Sequence, residues 1–159
     1  MRNLLAAGAM GLATAGRSLT PLALISWTIR SGRLPSEGLT TTLFGHRRVS
    51  QLLVFGAAIE LILDKLPMTP DRVSHGADVY RALLGGLAGT LITDRGKLPN
   101  RLAGGLCGAV AAFAASHILL AARRGFTDRG LPDPAIALAE DGLVLATVHH
   151  FLKQSRATN

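Results

Sequence analysis

Charges stand inside apolar segments long enough to cross a membrane, and this constrains the chain more than any other feature. Arg17 lies in the run from Leu4 to Ile29. Glu60 and Asp64 lie in the run that opens at Val49, and Arg81 in the run that closes at Ile92. Glu140 and Asp141 lie in the run from Pro134 to Leu152. An ionisable side chain costs roughly 2.5–3.5 kcal/mol at the bilayer centre on insertion scales, so such residues turn to a protein interior and pair or act there. The pattern predicts a small polytopic membrane protein with a buried polar centre, and it names no substrate.

Composition points the same way. Only 17% of the 159 residues are charged, against about 25% in an ordinary soluble domain. Aromatic residues are 4%, fewer than a soluble core of this size would use. The apolar content is mostly Ala, Leu and Gly, and small residues let helix backbones approach closely in lipid. The run 102–122 carries no formal charge, with His117 taken as neutral. About 20 apolar residues cross a hydrocarbon core near 30 Å. Cys107, the single cysteine, lies in that run, so there is no disulfide framework and the residue reads as small packing.

Five apolar runs follow one another, at 4–29, 49–66, 77–93, 102–122 and 134–152, separated by turn-rich basic segments such as Ser31-Gly32-Arg33-Leu34-Pro35-Ser36. None alternates strictly as a strand would, and an open sheet facing lipid is not viable, so the expectation is an all-α bundle of about five spans. The net charge of +7 raises nucleic acid as a partner. However, the basic residues cluster between the runs and no aromatic-basic motif accompanies them, so they read as topology signals facing anionic lipid. Nine loop and tail Lys/Arg fall on one side of a five-span arrangement and six on the other. The bias puts the C-terminus in the cytoplasm and the N-terminus outside. Arg2 and Ala13-Thr14-Ala15 resemble a short signal peptide, but the apolar run resumes after Pro21, and cleavage would leave half a span.

The first run is odd. As one helix it would be about 39 Å long, and Gly16-Arg17-Ser18-Leu19-Thr20-Pro21 stands in its middle. Pro21 removes a backbone donor and crowds the preceding turn. A kink or a break at Gly16–Pro21 is expected: either a tilted, bent helix or two half-helices with an Arg-bearing joint that lines a cavity.

Glu60 and Asp64 are four residues apart and share a helix face, where two carboxylates cannot both ionise cheaply without a nearby cation. Arg17 and Arg81 are the natural partners, since guanidinium grips carboxylate in a two-pronged fork. Arg17 is expected to pair with Glu60 or Asp64. Gly85 and Gly89 follow Arg81 on one stripe, and Gly104 with Gly108 repeats the spacing. Each half of the chain thus supplies one arginine and one acidic pair, a loose echo of a pseudo-symmetric fold. Ser18 and Thr20 either bind an anion such as phosphate or satisfy carbonyls freed by Pro21. His149-His150 and Glu140-Asp141 are adjacent pairs, which point about 100° apart and lack metal-ligand spacing. No metal, cofactor or catalytic motif is expected.

Gly16-Arg17-Ser18-Leu19-Thr20-Pro21-Leu22-Ala23, with Glu60, Asp64-Lys65-Leu66-Pro67 and Pro70-Asp71-Arg72, resembles the bacterial integral-membrane family known as domain of unknown function 4126 (DUF4126), over roughly residues 5–150. The resemblance implies a multi-span protein of the bacterial inner membrane with those elements at its heart, and it implies no activity. Two functions compete. One is a transporter or channel-like protein, expected as a homodimer because five short spans enclose little space, with Arg17 and Arg81 facing an anionic solute or Glu60 and Asp64 carrying a cation. The other is a structural or assembly protein whose buried charges only join helices.

Overall fold

The computed structural model describes residues 2–34, 37–63, 76–94, 97–127 and 133–156. They form seven helices and, among the described residues, no strand: α1 (Arg2–Gly16), α2 (Thr20–Arg30), α3 (Leu39–Gly45), α4 (Arg47–Leu63), α5 (Ala77–Thr93), α6 (Leu98–Thr127) and α7 (Asp133–Arg156). The all-α expectation holds. The run 77–93 is α5 to the residue, and α4, α6 and α7 each contain or overlap a predicted run.

The first run is broken, not bent. α1 ends at Gly16 and α2 starts at Thr20 with Pro21 in its first turn, where its missing N–H leaves no bond unmade. The break also reverses the chain. α5 and α6 are antiparallel, since a side chain added at Gly85 would meet Ala112 and one at Gly104 would meet Thr93. Along α1, Gly8 lies against Cys107 and Gly11 against Gly108 and Gly85, so α1 runs parallel to α6. α2 runs against α4: Leu19 packs on Gly56, Ser26 Oγ donates to the Phe44 carbonyl, and Ile29 lies on Gly45. Gly32, at φ +68°, turns the chain after α2, and Gly38 then sits against the Asp94 carboxylate at the end of α5. The start of α1 and the end of α2 therefore lie toward one end of the bundle, called here the lower end. Residues 17–19 form the tip of a splayed helical hairpin.

α7 descends from that tip. Val144 meets Gly16, and Val148 and Leu152 are buried in one apolar cluster with Ile25, Ile29, Leu34 and Leu91. The start of α1 and the end of α7 thus both lie toward the lower end. A continuous first span would separate the ends, and the hairpin does not. The segment expected as a plain 30–48 loop also contains α3, which Thr41 starts by accepting the Gly38 N–H with its hydroxyl at 3.1 Å.

Small residues, Ala6, Ala7, Ala9, Ala13, Ala88, Ala112 and Ala115 with glycines in direct backbone contact, line the places where helices come closest, and larger ones such as Met10, Leu22, Ile25 and Val148 fill the rest of the interior. Bulky apolar residues also stand exposed on every helix: Leu5 on α1, Trp27 on α2, Leu39 on α3, Phe55 and Ile62 on α4, Leu83 on α5, Leu106 and Val110 on α6, and Leu143 on α7. Buried hydroxyls are folded onto their own helices. Thr14, Thr28, Thr93 and Ser116 each donate to the carbonyl four residues back, at 2.7–2.9 Å, which satisfies them without water. Among the described residues, α6 is the one helix long and apolar enough by itself to cross a membrane.

The Gly11–Gly85–Gly108 contact makes a sharp test. A Cβ at Gly108 would strike the Gly85 carbonyl, whereas one at Gly142 meets nothing within 4 Å. Gly108→Val is expected to destabilise by about 3 kcal/mol or more, because backbone cannot yield as a flexible side chain can. Gly142→Ala should be neutral or stabilise by up to about 1 kcal/mol. Thermal unfolding of the two variants in detergent checks both, and equal midpoints would refute the packing.

Candidate functional site

The hairpin tip gathers the polar centre. Arg17 extends one residue past α1 and is 3% exposed. Its Nε donates to Asp141 Oδ1 at 2.5 Å, and its Nη2 to Asp141 Oδ2 at 2.6 Å. This is the bidentate fork in which guanidinium and carboxylate fit best. Asp141 reaches it from the third turn of α7, held in place by Val144 against Gly16.

The break leaves two backbone donors with no helical acceptor. Glu60, from the last turn of α4, takes both. Ser18 N–H donates to Oε1 at 2.7 Å and Leu19 N–H to Oε2 at 2.9 Å. The carboxylate also faces the positive end of α2, where a negative charge is favoured. Any side chain at Gly56 would push Leu19 away, so Gly56 lets α4 approach closely enough for Glu60 to reach. Thr20 opens α2 and is buried, and its Oγ1 has no hydrogen-bond partner. A Cβ in a helix tilts toward the N-terminus, so this hydroxyl leans toward the same tip.

The structure thus brings together Arg17, Ser18, Thr20, Glu60 and Asp141 of the residues singled out in the sequence. Arg81 is half-buried on the second turn of α5, and Glu140 is half-buried beside Asp141. Asp64 lies outside the described residues. Of the two acids expected as partners of Arg17, Glu60 takes the backbone instead, while Asp141 takes the guanidinium. The fork joins the first-half arginine to a second-half acid. Charge order along the sequence carries no information on which helices become neighbours.

Two polar contacts had no sequence signal. Asp94 follows the run 77–93 directly and precedes Arg95 and Lys97, yet its side chain is fully buried, seated on Gly38 with Arg101 Nε 3.8 Å away. Asp78 Oδ2 lies 3.6 Å from His117 Nε2, and Phe113 packs edge-on against the same imidazole with ring centroids 4.8 Å apart. With Gly11 on Gly108 and α1 parallel to α6, Arg17, six residues further on, stands near residue 114, about 24 Å along a helix of about 45 Å. Cys107 donates to the Leu4 carbonyl at 3.3 Å, in keeping with a packing role. No group of three or more metal-ligating side chains occurs among the described residues.

No family model matches the chain, and neither the curated proteins nor the solved structures give a match.

The Arg17–Asp141 fork predicts a specific non-additivity. Asp141→Ala should destabilise by about 3–5 kcal/mol, because it strands a buried guanidinium. Arg17→Met combined with Asp141→Leu should recover most of that loss, since well-packed apolar residues can replace a buried pair. A thermodynamic double-mutant cycle by chemical denaturation measures the coupling. A coupling indistinguishable from zero would mean that the fork does not hold the tip.

Proposed function

We propose that the chain is a small polytopic integral membrane protein of the bacterial cell membrane, in which α4, α5, α6 and α7 cross the bilayer and α1–α2 form a re-entrant hairpin. The observation that carries this reading is the set of bulky apolar side chains left exposed on every helix. Monomeric soluble proteins rarely expose contiguous apolar patches beyond a few hundred Å². Small residues at helix contacts and hydroxyls bonded to their own backbone are what a lipid environment selects. The resemblance to the family of unknown function 4126 accords with the same reading.

Orientation follows from the hairpin. With both termini at the lower end, ten of the loop and tail Lys/Arg belong to that end and five to the other. Arg2 changes sides relative to a five-span count, and the bias sharpens. The lower end is the cytoplasmic one. Reporter fusions at either terminus should both report cytoplasm, and the chain should resist alkaline carbonate extraction. Release by carbonate would remove the membrane reading, and termini on opposite sides would remove the hairpin.

Within that frame the tip is a transport-type centre. Broken helices that present backbone ends and titratable side chains inside a membrane are how transporters build solute and ion sites. Here a carboxylate from another helix, Glu60, fills the position where an anionic group would bind the end of α2. The unsatisfied Thr20 hydroxyl favours this reading over a purely structural one. A buried hydroxyl without a partner costs about 1–3 kcal/mol, which a bound solute, ion or water would relieve. The structural reading, in which the charges only join helices, draws its support from the Arg17–Asp141 fork.

Thr20→Val separates the two. It keeps the shape and removes the orphan hydroxyl, so it should fold with unchanged or slightly higher stability. If the tip handles a solute, flux across liposomes should fall in this variant. The screen is uptake or leak of small anions, small cations and protons after a pH jump. A folded Thr20→Val protein that keeps the full flux of every solute the parent moves would end the transport reading. A parent that moves nothing in any gradient would leave the structural one.

A further inference from the structure

The lower end carries a feature that the hairpin tip does not explain. Four arginines converge at the corner where α2 meets α3 and α4. Arg30 ends α2, Arg33 follows the Gly32 turn, and Arg47 and Arg48 open α4. The two stretches are locked together by Ile29 on Gly45 and by the Ser26 hydroxyl on the Phe44 carbonyl. All four side chains are exposed, and none makes an ion pair among the described residues. The acidic residue of the same connection, Glu37, is exposed and engages none of them. The nearby Asp94 is buried toward Arg101. Four like charges placed together repel one another, so the cluster is costly without an anion.

The corner holds more than charge. Trp27 is 52% exposed one turn inside the cluster, and the Arg30 guanidinium lies 5.6 Å from the centre of its ring. An exposed tryptophan beside arginines, next to the outward apolar residues Leu39 and Leu43, is the arrangement of the headgroup level of a bilayer. The positive end of α4 opens at the same place, where Arg48 N–H is turned toward His46 Nδ1 at 3.4 Å.

We propose that this corner is a binding site for the phosphate headgroup of an anionic phospholipid, with the acyl chains running from Trp27 along α2 toward the bilayer centre. The inference rests on the membrane reading above. It adds a ligand class and a place, at the α2–α4 corner rather than the hairpin tip. Guanidinium forks match phosphate oxygens, and basic pockets between helices on the cytoplasmic side are where anionic headgroups bind.

The test uses the full chain reconstituted in nanodiscs of phosphatidylcholine, with and without phosphatidylglycerol. The anionic lipid should raise the unfolding midpoint and be retained in native mass spectra. Arg30→Gln with Arg47→Gln should remove most of both effects, and each arginine lost should weaken binding about five-fold. Arg33→Gln with Arg48→Gln is the second variant if the first does not fold. Arg129→Gln, in the α6–α7 connection, should bind as the parent does. Equal midpoints in the two lipid mixtures, or unaltered retention in the double variants, would overturn the proposal. So would inorganic phosphate that reproduces the full shift in detergent, since the site would then take free phosphate. A chain that stays soluble without detergent would instead overturn the membrane reading itself.

Discussion

A three-residue reversal, Arg17-Ser18-Leu19, governs the rest of this structure. Reversing a helix inside an apolar bundle exposes backbone donors and, here, a guanidinium, where neither can be left to solvent. Each needs an acceptor, and a carboxylate is the strongest available. Glu60 and Asp141 supply them from two different helices, so the positions of α4 and α7 are fixed by the requirement of the tip. The glycines Gly16 and Gly56 then read as clearances, one for Val144 and one for Leu19, that let those helices come close enough to deliver their acids.

The same logic recurs at the opposite end. Asp94 is buried against Gly38 at the start of α3, with Arg101 beside it. An acidic group from a distant helix again meets a chain start at a glycine that allows close approach. At the tip the polar contacts register α1 on α7 and α2 on α4, and at the lower end they register α5 on α3 and α6. Between those ends the contact surface is glycine and alanine, which packs tightly but is nearly featureless along the helix axis. Small-residue faces can slide, and buried ionic contacts with exact geometry resist sliding. Specificity of register, rather than net stability, is the contribution best ascribed to such buried charges.

Much of this was legible in the sequence, and what was not has a physical cause. The bounds of α5 were clear because turn and charged residues flank the apolar run at both ends. An interruption at Gly16–Pro21 was clear because both residues act locally, while the choice between a kink and a break was not. The identity of the tip residues was clear because charges in apolar runs are rare enough to stand out. The reversal was not, since a break permits any angle and the angle is chosen by what α1 and α2 pack against. Arg17's partner was not, because Glu60, Asp64, Glu140 and Asp141 are chemically equivalent candidates until helix neighbours are known. Asp94 was hidden for the opposite reason: it stands among basic loop residues, where an acid looks solvated.

The distribution of charge along the bundle bears on how the tip could work. In the proposed membrane frame the hairpin enters from the basic end, and its tip is a little past the middle of α6. A solute arriving from the far side would therefore meet the tip after a shorter path than one from the cytoplasm, and on the cytoplasmic side the splayed hairpin is filled by the apolar cluster of Ile25, Ile29, Val148 and Leu152. Movement past the tip would require α2 to separate from α7 or α5, and the contacts that resist such separation are apolar and short-ranged. The polar contacts instead join α1's end to α7 and α2's start to α4. Opening that parts α2 from α7 while Glu60 keeps its hold on Ser18 and Leu19 would leave α2 and α4 moving as one body. In that geometry Glu60 acts as a hinge clamp and Asp141 as the latch that must let go or travel with Arg17, so the two carboxylates, equivalent in the sequence, have unequal roles in the fold.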